Sequence, residues 1–239
     1  MPSGRNESKV GETKIPILAG IEEAGRGPVI GPMVMAIAVI DSEKESYLRE
    51  IGVRDSKKLS PKQRTTIFIQ LTRILQAHKY VIISPTKIDA AVESKLTNLN
   101  WLEADESIEL IKMITLSTQI DEFIIDCPST NIKAFIDYFH NRLDIKPSCI
   151  IAEHKADEIY PIVSAASIIA KVIRDREIEK LHKKYQVDFG SGYPSDQRTV
   201  TFLKNWVKTH ENLPDFVRKS WATAKNILNE SKQRKLNDF

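Results

Sequence analysis

Short apolar runs recur along the chain and are separated by longer segments in which apolar residues follow helical spacing. Runs at residues 15–21 and 33–40 predict two adjacent β-strands, and two Gly-Pro pairs between them mark the turn. The first run stops at Glu22, which predicts that the strand ends abruptly there. Further short runs predict strands at residues 80–84, 123–125 and 149–152.

Four longer segments carry the signals of helices. Ser60 is a good N-cap and Pro61 suits the first helical position, so we expect a helix from there to about residue 77. Apolar residues at helical spacing predict three more helices, at residues 101–117, 131–142 and 160–184. Strands mixed with helices, with the first two strands adjacent, predict an α/β layered fold.

The pattern divides the chain into four parts. Residues 1–14 are polar and predict a flexible tail, and residues 15–185 carry the alternating pattern of an α/β domain. Residues 186–230 predict a helical cap packed on that domain, and residues 231–239 form a C-terminal tail. The N-terminal stretch lacks the apolar centre of a signal peptide, and no apolar run approaches the ~20 residues needed to cross a bilayer. With only two cysteines, these features predict a soluble cytoplasmic protein.

The charge of the 239-residue chain is nearly balanced, with 35 Lys and Arg against 32 Asp and Glu and a net charge of +3. That excess is too small to indicate nucleic-acid binding by itself. The distribution is more informative, because basic residues cluster at 54–58, 171–184 and 218–235 while several acidic residues stand alone in apolar surroundings. This pattern suits a protein that holds a phosphate backbone and binds metal, although solvated helix faces explain any single basic run equally well.

Carboxylates follow three of the predicted strands. Glu22 and Glu23 come after the first strand, Asp126 after the fourth, and Asp157 soon after the fifth. Ligands of open α/β sheets gather beyond the carboxyl ends of strands, so these side chains can converge on cations, and oxygen ligands suit Mg²⁺ or Mn²⁺. The alternative is that each is a turn residue or a helix N-cap. Adjacent strand residues point to opposite faces, so Glu22 and Glu23 can share a site only if the chain leaves the strand there.

Several sequence motifs occur in the order found in one known family. They are GIEEAGRGPVIGP at residues 20–32, RDSKKL at 54–59, HKAD at 154–157, SAASIIAK at 164–171 and GSGYP at 190–194. Together they cover nearly the whole chain and closely resemble the signatures of the type 2 ribonuclease H family, ribonuclease HII. The segment VRKSW at residues 217–221 resembles the archaeal and eukaryotic branch of that family.

The resemblance implies a ribonuclease H-like fold, with a central mixed β-sheet flanked by helices and a C-terminal helical subdomain. It implies a monomeric endoribonuclease that hydrolyses the RNA strand of RNA–DNA hybrids and incises at ribonucleotides embedded in duplex DNA. The implied mechanism uses two divalent ions, Mg²⁺ or Mn²⁺, and leaves 5′-phosphate and 3′-hydroxyl ends. The implied catalytic residues and metal ligands are Glu22, Glu23, Asp126 and Asp157.

Glu22 departs from the family pattern, in which the first motif usually has Asp followed by Glu. The extra methylene moves the carboxylate by about a bond length, and a misplacement of about 1 Å can cost roughly 100-fold in rate. We therefore expect reduced activity or a shifted metal dependence. The alternative hypothesis is a hybrid-binding protein or clamp-tethered subunit whose chemistry Glu22 disables. Another nuclease of the same fold, such as a resolvase, would leave the glycine-rich loop unexplained.

The resemblance also implies that Gly25, Arg26 and Gly27 recognise the substrate together with Tyr193. Glycine lets a backbone approach a ribose closely, so that amides and carbonyls can reach the 2′-OH that distinguishes RNA from DNA. In the family this loop and tyrosine recognise the junction between a ribonucleotide and the following deoxynucleotide. The alternatives are that the glycines only form a tight turn and that Tyr193 is a core aromatic residue.

The lysines beside the motif acids are candidate phosphate contacts, and the alternative is that they are only solvated. These candidates are Lys57, Lys58, Lys155 and Lys171.

The chain ends in a sequence that resembles the interaction box for the sliding clamp PCNA. Gln233 is followed by Leu236 and then by Phe239, where the box usually has a pair of aromatic residues. Leu236 and Phe239 would share one face of a short helical turn and could anchor it in a hydrophobic groove. The alternative is a frayed polar tail with two incidental apolar residues.

Overall fold

A five-stranded mixed sheet lies at the centre of the structure, a computed structural model that describes residues 14–53, 59–144 and 149–237. Its strands are β1 (Ile17–Ala24), β2 (Met33–Asp41), β3 (Ala77–Ile83), β4 (Glu122–Asp126) and β5 (Ile150–Glu153). The strand order is β3-β2-β1-β4-β5. β2 is antiparallel to β1 and β3, whereas β4 is parallel to β1 and β5.

Helices of very different lengths connect and follow these strands. The α-helices are α1 (Glu45–Glu50), α2 (Pro61–Ile74), α3 (Pro85–Glu93), α4 (Leu99–Thr115), α5 (Ile132–His140), α6 (Ala156–Ile159), α7 (Pro161–Tyr185), α8 (Gln197–Thr209) and α9 (Ala222–Asn237). Ser60 caps α2 as predicted, because its hydroxyl accepts from the amide of Gln63 at 3.3 Å. Within the described ranges, no helix has both the length and the apolar character needed to cross a membrane.

The sheet is buried between two helical layers. α7 packs across one face over β1 and β2, with α2 beside it, while α4 and α5 cover the other face. Gly20 of β1 permits the close contact with α7, because a Cβ at this position would lie only 2.5 Å from the backbone of Ile162. The predicted α/β layered arrangement is confirmed.

The first strand continues past the point at which we predicted its end. β1 runs through Glu22 and Glu23 to Ala24, and this stretch pairs with residues 34–36 of β2. The predicted end at Glu22 is therefore wrong. The apolar side chains stop at Ile21, but backbone pairing with β2 maintains a strand whatever its side chains are.

The junction between α2 and β3 also differs from the prediction. α2 ends at Ile74, a few residues early, and β3 begins at Ala77 rather than at residue 80. Leu75 has extended backbone dihedrals, and the amide of Gln76 donates to the carbonyl of Val39 at 2.9 Å. The chain therefore joins the edge of β2 as soon as the helix ends.

The residues after α7 form a cap with an apolar cluster of its own. Val29 and Ile30, from the segment between β1 and β2, are fully buried in this cluster. The amide of Val29 donates to the carbonyl of Gly192 at 2.8 Å, and Ile30 forms a β-bridge with Val217. The Gly-Pro segment is thus more than a turn, because it attaches the α/β domain to the cap. α9 extends to Asn237, across the boundary predicted at residue 230.

Candidate active site

Three of the predicted metal ligands meet at the carboxyl ends of β1 and β4. Glu22, Glu23 and Asp126 each offer a carboxylate oxygen, and these three oxygens lie within 4.8 Å of one another. The parallel pairing of the two strands ends at Ile21 and Ile125, so the carboxylates extend just past the last paired residues. The sheet therefore brings residues that are distant in sequence to one edge, as expected for a ligand site of an α/β fold.

Glu22 and Glu23 share this cluster although both lie within β1, where neighbouring side chains start on opposite faces. The expectation that the chain must leave the strand at this point is therefore wrong. The amide of Glu23 donates to Oε1 of Glu22 at 3.0 Å, so the Glu22 side chain folds back onto the backbone of the next residue. A glutamate is long enough to make this return while its backbone stays paired.

Glu22 is the buried member of this cluster, whereas Glu23 and Asp126 are half-buried. Glu22 is 7% exposed, and its Oε2 is buried without a hydrogen-bond partner among the described residues. Burial raises the pKa of Glu22 well above its ordinary value, and the nearby charges of Glu23 and Asp126 raise it further. A divalent cation would remove both penalties, since it would neutralise the charges and coordinate the unpaired oxygen. This set of oxygen donors suits Mg²⁺ or Mn²⁺.

A further carboxylate, which we did not single out from the sequence, approaches the cluster from α4. Glu103 is 1% exposed, and burial together with the charge of Glu23 raises its pKa to about 8. The guanidinium of Arg26 forms an ion pair with Oε1 of Glu103 and donates to Oδ1 of Asn100 at 2.7 Å. Oε2 of Glu103 is buried without a partner among the described residues. The available sequence signal was a glutamate next to an apolar position of a predicted helix.

Asp157 lies beside the cluster and not within the group of three. It is buried on α6, directly after Ala156, whose amide donates to Oδ1 of Asp126 at 2.6 Å. Lys155 precedes this contact in a left-handed backbone conformation (φ 58°), and its side chain is exposed. A positive φ is costly for lysine, and here it helps to direct the next amide at Asp126.

Residues 25–27 follow β1 directly and lie against Tyr193. Gly25 has a φ of +84°, and a Cβ there would collide with the side chain of Arg174, so both backbone and space require glycine. A Cβ on Gly27 would lie 3.8 Å from Cε1 of Tyr193, a residue that is 40% exposed. The predicted substrate-binding loop and tyrosine are therefore neighbours in space.

Two buried arginines beneath this loop were missed in the sequence. Arg174 of α7 lies under Gly25, with its guanidinium 5.4 Å from the ring centre of Tyr193. Arg218 is fully buried and donates to the carbonyls of Gly25 and Arg26. The motif at residues 217–221 had indicated only a branch of the family, although an arginine between apolar and aromatic residues was a usable signal.

The remaining predicted residues lie further from the carboxylates or outside the described ranges. Lys171 is half-buried on α7. Gln233 is exposed on α9, and Leu236 belongs to the same helix. The predicted contacts outside the described residues are Lys57, Lys58 and Phe239.

The chain has well-defined relatives among known proteins. It matches the family model described as Ribonuclease HII over residues 19–224, a range that contains the carboxylate cluster, the glycine loop and Tyr193. The chain belongs to the ribonuclease HII family. A relative from Pyrococcus abyssi, named Ribonuclease HII, is 43% identical over 219 residues, which cover 92% of this chain and 94% of that protein.

Solved structures of this family share the fold. The ribonuclease H2 of Pyrococcus horikoshii OT3 superposes with a TM-score of 0.82 at 43% identity, covering 91% of this chain and 99% of that one. The ribonuclease HII in a complex with PCNA from Archaeoglobus fulgidus has a TM-score of 0.77 at 37% identity, covering 93% and 100%. The predicted ribonuclease H-like fold is confirmed.

Membership of the ribonuclease HII family also decides the general activity. The chain is a ribonuclease H, a metal-dependent endonuclease that acts on RNA–DNA hybrids. The enzyme class predicted from the sequence is therefore confirmed. The cluster of Glu22, Glu23 and Asp126 agrees with the divalent-metal requirement of the family.

Proposed function

We propose that this ribonuclease HII incises duplex DNA at embedded ribonucleotides as well as cutting longer RNA–DNA hybrids. The observation that carries the proposal is the position of the glycine loop, which continues directly from the strand that bears Glu22 and Glu23 and lies beside Tyr193. Recognition of one ribose and hydrolysis of the adjacent phosphate would thus occur side by side.

The proposed ligands for two divalent ions, Mg²⁺ or Mn²⁺, are Glu22, Glu23, Asp126 and Asp157. When bound, such ions would supply an activated water for in-line attack and would stabilise the leaving 3′ oxygen. Two observations support this assignment: the oxygens of Glu22, Glu23 and Asp126 lie within 4.8 Å of one another, and the amide of Ala156 donates to Asp126. Cleavage of the bond between phosphorus and the 3′ oxygen leaves 3′-hydroxyl and 5′-phosphate ends.

We infer that Glu22 leaves the site active, although less active than an aspartate would. Its carboxylate stays in the cluster with Glu23 and Asp126, and the amide of Glu23 holds one of its oxygens. The other oxygen has no hydrogen-bond partner in the described part of the chain and can serve as a ligand. Both features favour a working enzyme over a hybrid-binding protein without catalysis.

The substrate contacts follow from the loop and its surroundings. The guanidinium of Arg26 is engaged by Glu103 and Asn100, so this residue would meet the substrate mainly through its backbone. Backbone groups of the loop can reach a 2′-OH, and the half-exposed ring of Tyr193 offers an apolar surface to a deoxyribose. The proposed phosphate contacts are Lys57, Lys58, Lys155 and Lys171.

The decisive experiment uses a DNA duplex that carries one ribonucleotide, incubated with the protein in Mg²⁺ and separately in Mn²⁺. We expect one incision at the ribonucleotide in at least one metal, with 3′-hydroxyl and 5′-phosphate ends, and no cut in the same duplex made wholly of DNA. Tight binding without a cut in either metal would instead favour the hybrid-binding alternative. A uniform RNA–DNA hybrid serves as the positive control for ribonuclease H activity.

We also propose that the C-terminal segment binds a sliding clamp through Gln233, Leu236 and Phe239. Support comes from the box-like spacing of these residues, from the exposed position of Gln233 at the end of α9, and from the PCNA complex formed by the Archaeoglobus fulgidus relative. Deleting residues 233–239 should abolish clamp binding and leave cleavage of short substrates unchanged. Retained clamp binding after the deletion would place the contact elsewhere.

A further inference from the structure

One buried side chain of the cap donates hydrogen bonds to several backbone carbonyls in and near the glycine loop. Arg218 is 0% exposed, and its guanidinium donates to the carbonyl of Gly25 at 2.6 Å, of Arg26 at 2.8 Å and of Gly31 at 3.1 Å. Burial lowers the pKa of this guanidinium. Burying a charge is expensive, and these three carbonyl dipoles compensate it in a geometry that suits the arginine fork.

The next carbonyl of the loop is held by the same segment of the cap. The indole Nε1 of Trp221 donates to the carbonyl of Gly27 at 3.0 Å, and the guanidinium of Arg218 lies 4.9 Å from the indole ring centre. Three successive carbonyls of the loop, those of Gly25, Arg26 and Gly27, therefore accept hydrogen bonds from two side chains of the cap. Because a peptide unit is planar, fixing its carbonyl also fixes the direction of the amide that follows.

The segment that carries Arg218 and Trp221 is itself anchored on the α/β domain. The carboxylate of Asp89 on α3 accepts from the amide of Lys219 at 2.8 Å and from the amide of Ser220 at 3.0 Å. The hydroxyl of Ser220 donates to the same carboxylate at 2.5 Å. Asp89 thus holds the two residues that lie between Arg218 and Trp221, so the contacts from α3 to the loop form one continuous chain.

We propose that Arg218 and Trp221, with Asp89 as their anchor, are positioning residues that give the enzyme its preference for a ribonucleotide. They aim the peptide units of residues 25–27 so that the loop presents backbone groups to the 2′-OH. The proposal rests on the proposed function, in which this loop reads the ribose. It assigns the cap a role in specificity, because all five of these hydrogen bonds, three to the loop and two to Asp89, cross between the cap and the sheet domain.

The test compares two substitutions with the same local chemistry. Trp221→Phe removes the hydrogen bond to Gly27 and keeps an aromatic ring. Trp206→Phe is the matched control, because the Nε1 of Trp206 also donates to a backbone carbonyl in the cap, that of Asn212, at the same distance of 3.0 Å. Both variants lose one indole hydrogen bond, but only one of these bonds reaches the loop.

The measured quantity is the ratio of two dissociation constants, for a duplex with one ribonucleotide and for the same duplex made wholly of DNA. Fluorescence anisotropy in EDTA gives both constants without cleavage. Trp221→Phe should reduce the preference for the ribonucleotide by about fivefold, the size of one typical hydrogen bond, whereas Trp206→Phe should leave it unchanged. Equal ratios in the two variants would overturn the proposal.

A second variant covers the possibility that Trp221→Phe does not fold. Asp89→Asn keeps one acceptor for the cap segment and lies away from the carboxylate cluster, and it should also reduce the ribonucleotide preference. If it leaves the ratio unchanged, the anchoring role is wrong. The proposed function is tested separately, by cleavage with the unmodified protein. If that protein does not cut at the ribonucleotide, the proposed function is wrong, whereas the binding ratios of the two tryptophan variants still test the positioning role.

Discussion

The carboxylate cluster and the glycine loop, which begins two residues after Glu23, differ in how well their polar groups are hydrogen-bonded. In the cluster and in Glu103 beside it, buried oxygens of Glu22 and Glu103 have no partner among the described residues, and burial raises the pKa values of both carboxyls. In the loop, the carbonyls of Gly25, Arg26 and Gly27 all accept hydrogen bonds from the cap.

This difference shows which part of the site depends on a ligand. Buried polar groups that lack partners destabilise a fold unless a cation or proton compensates them. The cluster is therefore the part of the site whose charges a divalent ion would compensate. Its carboxylates come from two neighbouring strands at one edge of the sheet. The loop is preorganised by the protein itself, so its geometry depends on packing between the cap and the sheet domain.

The largest expected effect comes from removing one charge of the cluster. Asp126→Asn should lower kcat roughly 100- to 1000-fold, the size typical of losing a group that stabilises transition-state charge. It should not lower the free energy of unfolding, because it relieves repulsion with Glu22 while the amide oxygen can still accept from Ala156. Cleavage kinetics and urea unfolding check the two statements.

The matched control is Asp121→Asn at the other end of the same sheet. Asp121 accepts from the amide of Ile17 at 2.9 Å and lies just before β4, far from the cluster. We expect a modest loss of stability and unchanged kcat. Comparable loss of kcat in both variants would mean that Asp126 acts through the fold and not through the chemistry.

In the loop, unlike the cluster, we expect an added methyl group to lower the free energy of unfolding, because it disturbs the packing. Gly25→Ala should destabilise the protein by about 2–4 kcal/mol, because the left-handed backbone disfavours alanine and its Cβ would collide with Arg174. Gly52→Ala is the control, with an almost identical φ of +85° and nothing within 4 Å of the added Cβ. It should cost about 1 kcal/mol and leave activity unchanged. Equal stability in urea would show that crowding against Arg174 is unimportant.

A smaller effect should follow from restoring the residue that the family usually has. Glu22→Asp should raise kcat/KM in Mg²⁺ by up to about tenfold, which corresponds to roughly 1.4 kcal/mol of transition-state stabilisation. Glu23→Asp makes the same change in length at the neighbouring ligand and should lower activity. If Glu22→Asp has no effect, the folded-back side chain already places its carboxylate well.

The smallest expected effect is the dependence of stability on pH and on divalent metal. A carboxyl with a raised pKa keeps its proton in the folded state, so the unfolded state binds fewer protons and stability falls as pH rises. For Glu103 this window runs from the ordinary value of 4.5 to about 8. In EDTA, the urea midpoint should fall across this range, and Mg²⁺ should reduce the fall by compensating the cluster. Glu103→Gln should flatten the profile; an unchanged profile would exclude Glu103 as its source.

Much of the fold could be predicted from local sequence. The cap of α2 at Ser60, the extent of α7 and the adjacency of β1 and β2 follow from capping chemistry and apolar spacing over a few residues. The errors occurred where backbone pairing overrode the side-chain pattern. β1 continues through Glu22 because β2 supplies its hydrogen bonds, and β3 starts early because Gln76 already bonds to Val39.

The candidate site was predicted as a set of residue types but not as an arrangement. Glu22, Glu23 and Asp126 were named from strand ends and motifs, and the structure brings their oxygens together. The apolar neighbours of Glu103 and Arg218 in sequence could have indicated that both are buried, but they do not reveal what either side chain contacts. Each contacts the loop across a long separation along the chain.

The sequence by itself determined the family and the kinds of ligand, because these depend on short motifs and on the chemistry of single residues. The tertiary structure decided that Glu22 folds back within a continuous strand, that Glu103 engages Arg26, and that the cap holds the glycine loop. These features depend on sheet register and on packing between distant segments, and no local pattern along the chain encodes them.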